Sequence, residues 1–351
     1  MLKIESTKDL GIQFADNNHK MVGQDGAYSI KTKDGLLFYF GDTLIGERTE
    51  GESIWYPGGI AVGHKDMTGL GKFEKMLNNT GAIVKIPYKD KLDYEYVVNS
   101  GKNIKQLIPL WNNENPDWIR VWCLHGVEAN DKLYLFFIKV RTKDEGIFPV
   151  NFDIIGSGIA AAKSGSWDFE RILYNGSDVL WKEDEPHFAA AVLDEREYLY
   201  LYGVVQDSNK IQKCYLARVL KTELETLKNY EYYSNDVWTK NIKEASVLFT
   251  GMPNELSVSY NKYLKKYLAV HSLDLTGKIV ARTSNTPWGK WSQPVELFQV
   301  ELPEQNNLPY PALIYAGKEH PYLSKDGGKT IYVTYIEFEE YYPHMIEITL
   351  E

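Results

Sequence analysis

Two aspartates, Asp25 and Asp42, flank the tight-turn signal Lys33-Asp34-Gly35 at matching distances. Residues 27–31 and 36–40 are short runs of aromatic and branched side chains, which predict two strands joined by that turn. With the turn centred near Asp34, facing residues have numbers summing to about 67, so Asp25 falls opposite Asp42 at the open end of the hairpin. Facing side chains sit roughly 4.5 to 5.5 Å apart at Cβ. Two carboxylates that close cannot both ionise freely: one holds its proton more tightly while the other stays charged. That division is what acid/base chemistry on carbohydrates requires. The structural alternative is that each aspartate caps a turn or accepts backbone N–H groups where Gly23, Gly26 and Gly41 bend the chain.

The elements that would position this pair recur along the chain. After the hairpin, residues 46–56 read as a polar loop, 58–64 as a third short strand, and 71–85 as an outer strand. Residues 87–117, with Pro87, Pro109 and Pro116, form a long connection of the kind that is often functional. A second unit begins at Trp118, with strands either side of a turn at 129–131 and a third strand at 154–162. A third unit runs from His187, with strands around 194–196 and another at 213–219. The fourth opens at Glu255 with a hairpin in LSVSYNKYLKKYLAVHS and a further strand at 278–283. The last opens near Tyr310, where HPYLSKDGGKTIYVTYI reads as a hairpin closed by Asp326-Gly327-Gly328. An aromatic followed by an apolar run recurs near the outer strands, in GKFEKML at 71, GSWDFERIL at 165, DVWTKNIKEASVLF at 236 and WGKWSQPVELF at 288. Such repetition predicts an all-β chain, residues 1–351 forming a single five-bladed β-propeller of four-stranded antiparallel blades. A β-sandwich built of many hairpins is the competing architecture.

In a propeller the innermost strands begin at one common face. Counting back from each turn to the place Asp25 holds gives Arg120 or Trp122, His187 or nearby Glu185, Glu255, and His320. Asp25, Asp42 and Glu255 are the candidate catalytic acids, and Arg120, His187 and His320 the candidate ligands for hydroxyls. Gln24 stands beside Asp25, and Trp55, Trp122 and Tyr310 are candidate stacking platforms. Each has a structural alternative. Arg120 would serve as well to neutralise a buried carboxylate; the two histidines, each beside a proline, would bond loop backbone; the aromatics would pack in a core. His125 and Glu128 lie too near their turn to reach the mouth. A Ca²⁺ held by carboxylate and histidine has no spacing motif to support it, so no cofactor is expected.

Composition narrows the function classes. Over 351 residues, 44% are hydrophobic and 13% aromatic, with 25 Tyr and 9 Trp, a bias toward strands and sugar-stacking surfaces. The net charge of −9 and the scattered basic residues lack the footprint of a nucleic-acid binder. Two cysteines, Cys123 and Cys214, leave room for one bridge at most and for no clustered zinc site. No apolar run reaches membrane-spanning length, and the start of the chain lacks the plan of a signal peptide, which suits either a cytoplasmic protein or a mature form whose leader has been removed.

The stretches GQDGAYSIKTKDGLLFYFGDTLIG, MPNELSVSYNKYLKKYLAVHS followed by ARTSNTPWGKWSQPVELF, and HPYLSKDGGKTIYVTY resemble the five-bladed propellers of the arabinanase, xylosidase and fructosidase glycoside hydrolases. Within that group the likeness is nearest to the bacterial family that includes endo-D-arabinanases, and it spans nearly the whole chain. The resemblance implies glycoside hydrolysis by carboxylates at the propeller mouth, with Asp25 and Asp42 matching the acidic positions of the first blade. Glu255 falls where related hydrolases place a further acid. The Asp-Pro and Glu-Cys signatures of the fructosidase branch are absent. On this reading Asp25 is the nucleophile or the base that activates water, Asp42 its partner, either the acid or the group that sets its pKa, and Glu255 the competing general acid. A non-catalytic carbohydrate-binding propeller is the alternative.

Overall fold

The computed structural model describes residues 2–49, 51–56, 73–85, 90–145, 148, 150–252, 255–303 and 308–351. The expected third strand at 58–64 and the prolines at 57 and 87 lie outside them. The opening hairpin forms in the expected register: Tyr28 faces Tyr39 and Thr32 faces Gly35 between strands Tyr28–Thr32 and Gly35–Phe40. Thr80–Lys85 and Asp93–Tyr96 complete that antiparallel sheet.

Four more sheets of four or more strands follow in chain order among the described residues. Their innermost strands are Ile119–Ala129, His187–Glu195, Ser257–Asn261 and Ile314–Glu319. Neighbouring inner strands touch in sequence, from the first sheet to the second, third, fourth and last. The turn Pro321–Leu323 after the last inner strand returns to the strand Tyr28–Thr32. The outermost strand of the last sheet is the N-terminal Ile4–Ile12, paired antiparallel with Pro343–Leu350. The two ends of the chain thus share one sheet and close the ring.

The hydrophobic cores are wedges between successive sheets. Ile30 and Leu37 pack with Val121 and Phe136, Tyr202 with Val258 and Ala269, and Ile279 with Ile331 and Ile346. A further wedge joins Phe38 and Phe40 of the first sheet to Tyr332 and Met345 of the last. Strands buried on both faces explain the near-continuous apolar runs such as LYLFFIKV. Each fully buried Leu, Ile or Phe contributes about 1.5 to 3 kcal/mol, so these wedges hold the ring together. The fold is an all-β propeller. Cys123 and Cys214 are both free and buried, so no bridge joins them.

Three expectations need correction. The stretch read as one outer strand, 71–85, is cut at Asn78-Asn79: Phe73–Leu77 joins a small sheet with Thr43–Gly46 and Met21–Gln24, and Thr80–Lys85 lies directly beside Gly35–Phe40. The corner is held by the Asn79 side chain, which donates to the Ile108 and Val121 carbonyls and accepts from the Ile108 N–H. Accordingly the end of the hairpin that carries the aspartates is not open: the strand Thr43–Gly46 continues it, and the polar loop expected over 46–56 follows that strand. Asp93–Tyr96, inside the supposed long connection, is the outer strand of the first sheet. In the last unit the first strand is Ile314–Glu319, upstream of the motif read as a hairpin, whose HPYLSKDGG portion is a connection with two 3-10 turns.

Candidate active site

The ladder of the opening hairpin is pinched between its two sheets at Asp25-Gly26-Ala27 and Gly41-Asp42. The Asp25 N–H donates to the Asp42 carbonyl at 3.3 Å and the Gly41 N–H to the Asp25 carbonyl at 3.0 Å, so the two aspartates do face one another. Gly26 and Ala27 take φ of +86° and +59° to make the pinch. Gly41 is required for a different reason: a Cβ there would lie 2.5 Å from Asp25 Oδ1. The bare α-carbon of Gly41 is therefore the seat of the Asp25 carboxyl.

Asp25, Asp42 and Glu255 line one cavity of about 360 Å³. Its wall carries Trp55, Trp122, Phe148, Phe152 and Phe338. Trp55 stacks on Phe338 at 4.8 Å and Trp122 meets Phe152 edge-on at 4.7 Å. Tyr315 and Tyr341 complete the lining beside Asp25. The Tyr315 hydroxyl donates to Asp25 Oδ2 at 3.0 Å, and the Tyr341 hydroxyl also bonds this carboxyl. Burial first, then the charges of Asp42 and Glu255, push the Asp25 carboxyl up to about 8, and the two tyrosine hydroxyls pull only partly the other way. Asp25 consequently holds a proton at neutral pH.

Glu255 faces a cation. Lys318 Nζ lies 3.3 Å from Glu255 Oε1, donates to the Gly26 carbonyl, and sits 4.2 Å over the Tyr28 ring. Beyond Lys318 is a second cavity of about 460 Å³. The segments entering the first, fourth and last inner strands give their first residues to one cavity and their later residues to the other: Asp25 against Ser29, Glu255 against Ser259, Tyr315 against Glu319. The two cavities are thus the opposite ends of the central channel, with the Lys318 side chain between them. His125, set aside as too near its turn, lines the second.

The remaining sequence candidates lie elsewhere. Gln24 is fully buried, and its Oε1 accepts from the Tyr96 hydroxyl at 2.9 Å, away from the cavity. Arg120 is buried with Nη1 on the neighbouring Ile119 carbonyl, and the cavity lining does not include it. His187 is likewise buried outside the lining, and burial lowers its imidazole to about 4, so it stays neutral. His320 is at the wrong end of its strand: its ring nitrogens bond Ser29 and Thr334 at 2.8 Å each, and Phe38 covers it. The mouth position in that unit belongs to Tyr315, because Asp-Gly-Gly is itself a 3-10 turn and a second one, Pro321–Leu323, lies between it and the first strand. Tyr310 packs behind the wall, on Tyr56, with its hydroxyl on Glu339. Sequence reasoning missed Lys318, Tyr315 and Tyr341. A β-bulge carries the first two: pairing slips between Tyr315 and Lys318, with Ala316 at φ +56°. Residues three apart on a regular strand face opposite ways, and the bulge turns both toward the channel. Tyr341 comes from the corner before the last strand, where no repeat signal marks it.

Among the described residues no three of His, Cys, Asp and Glu come together as a metal set. A family described as "Domain of unknown function (DUF4185)" matches residues 3–347. No curated protein matches the chain. Among solved structures, a protein of Bacteroides ovatus ATCC 8483, assigned provisionally as a hydrolase, superposes with a TM-score of 0.63 at 16% identity, covering 97% of this chain and 87% of that one. A family 117 glycoside hydrolase of the marine bacterium Zobellia galactanivorans, Zg3597, superposes with a TM-score of 0.53 at 11% identity, covering 98% and 90%. At these identities the likeness is one of fold.

Proposed function

The chain belongs to the family described as Domain of unknown function (DUF4185), and for this member we propose glycoside hydrolysis at the carboxylate-lined mouth of the channel. One observation carries the reading: three carboxyl groups converge in an aromatic-walled cavity and one of them, Asp25, is held protonated by its burial and, after that, by the charges of the other two. A site with a retained proton, fixed negative charge and flat apolar walls suits a sugar chain, whose ring faces stack on aromatics. The name of the Zobellia structure, a glycoside hydrolase on the same fold, is consistent with this chemistry. A furanose-containing glycan such as an arabinan is the substrate class that the sequence resemblance favours.

In this mechanism Asp25 is the general acid. Its proton passes to the glycosidic oxygen as the bond to the anomeric carbon breaks, and the leaving sugar departs as an alcohol. Glu255, facing the Lys318 ammonium, takes the proton of the attacking water as its oxygen bonds to the anomeric carbon. Asp42 adds its charge to the effect of burial in keeping Asp25 protonated. This moves the acid role to Asp25, which the sequence suggested as nucleophile or base with Asp42 or Glu255 as the acid, because the electrostatics favour the proton on Asp25. The whole chain acts as one propeller domain, and the mechanism needs no cofactor.

The test is a panel of arabinans, galactans, xylans and fructans, with released oligosaccharides read for wild type, Asp25→Asn and Glu255→Gln. Release by wild type that either substitution lowers by about a thousandfold or more supports the reading. Binding by all three proteins with release by none replaces it with a carbohydrate-binding propeller.

A further inference from the structure

Lys318 is 1% exposed at its side chain, and a buried ammonium is stable only with partners on every side. Its partners come from two blades other than its own. Gly26, whose carbonyl it binds, adjoins Asp25 and leads into the first inner strand; Glu255 precedes the fourth; Lys318 itself belongs to the last. The bulge that aims it is built in. Ala316 carries a left-handed φ, and the next residue must be glycine, since a Cβ on Gly317 would lie 2.7 Å from Ile279 Cδ1 and 2.8 Å from Ser272 Oγ. Ser272 Oγ also accepts the Gly317 N–H at 2.9 Å. A strained bulge retained at this point sends Tyr315 to Asp25 and Lys318 to Glu255 from one short segment.

We propose that Lys318 is the positioning residue of the three-carboxyl site, its buried ammonium anchoring Glu255 through the 3.3 Å contact while the same bulged segment delivers Tyr315 to Asp25. The charged and titratable groups around the ammonium are Glu255, Asp25, Tyr28, His125 and His320. The two histidines are buried and neutral, each lowered chiefly by burial. Glu255 is therefore the carboxylate that the ammonium contacts directly. Without Lys318, Glu255 would lose the cation that holds it, and its charge at the channel would go uncompensated. The catalytic consequence rests on the glycosidase reading, but the contact does not.

The experiment is a carboxyl ¹³C NMR titration of full-length wild type, Lys318→Met and Lys318→Arg, without substrate. In Lys318→Met the Glu255 carboxyl, stripped of its cation, should titrate higher by about one pH unit or more, and Asp25 should not move down. Lys318→Arg, which keeps the charge, should preserve the wild-type order. A Glu255 titration unmoved in Lys318→Met overturns the proposal. If Lys318→Met does not fold, Lys318→Gln, which keeps a donor for the Gly26 carbonyl without the charge, decides by the same reading: a Glu255 titration unmoved there overturns the proposal. A panel showing no glycan hydrolysis, beside the expected titrations, would refute the glycosidase reading and leave this inference standing.

Discussion

Asp25→Asn should abolish hydrolysis and at the same time stabilise the protein above mildly acid pH. The Asp25 carboxyl is raised from 3.8 to about 8 by burial and by its two acidic neighbours. A folded value above the unfolded one makes the contribution favourable below about pH 4 and steadily lost as pH rises toward 8. At pH 7 about three pH units of that gap are expressed, and each is worth about 1.4 kcal/mol, an upper bound near 4 kcal/mol. Asp25 opens onto the cavity, so solvent screening reduces this to about 2 kcal/mol. Asparagine has nearly the same shape and no charge to desolvate. For a chain of this length the gain corresponds to about 3 °C in melting temperature. Thermal and urea unfolding of both proteins from pH 5 to 8.5 measures it. The advantage of Asp25→Asn should be larger at pH 8 than at pH 5. Equal or lower stability of Asp25→Asn across the range would refute the electrostatic account of the site.

The same proton sets the rate profile: kcat/KM should fall on the alkaline side with a midpoint near pH 8, as Asp25 loses the proton it donates. Tyr315→Phe removes a hydroxyl that favours the ionised form, so its alkaline limb should move up, by less than about one pH unit. Because Asp25 and Glu255 belong to different sheets across the mouth, the anomeric product seen by ¹H NMR should be inverted, whereas retention would assign the nucleophile to Asp42. Away from the site, Glu114 bonds Arg171 at 2.8 Å and contacts Lys139 at 2.6 Å, with Asp178 completing a buried ionic cluster. Glu114→Gln leaves those cations short of a partner and should cost about 3 kcal/mol in urea unfolding, with little change in the site. A loss below about 0.5 kcal/mol would show the cluster to be dispensable.

What was legible in the sequence was local. Lys33-Asp34-Gly35 specifies a tight turn, the turn fixes the register, and the register alone brings Asp25 opposite Asp42. Glu255 was reachable because its strand begins close to a recognisable hairpin. The failures share a cause as well. His320 was placed by counting back from Asp326-Gly327-Gly328, and that count fails when 3-10 turns, rather than the hairpin bend itself, occupy the intervening residues. Arg120 and His187 occupy plausible positions along their strands, but which way a side chain points near the start of a twisted strand is set by packing, not by spacing. Lys318 and Tyr315 depend on a bulge whose only local trace is Ala316-Gly317. Tyr341 is brought to Asp25 by the closure of the ring, an interaction across more than three hundred residues that no short motif encodes.

The central claim is that the carboxyl groups at the channel mouth cut glycosidic bonds, with the proton supplied by Asp25. The most direct measurement is oligosaccharide release from the polysaccharide panel by wild type beside Asp25→Asn, with folding of both checked by thermal unfolding. The account predicts release by wild type alone, from a stably folded Asp25→Asn control. Equal release by the two proteins would contradict it.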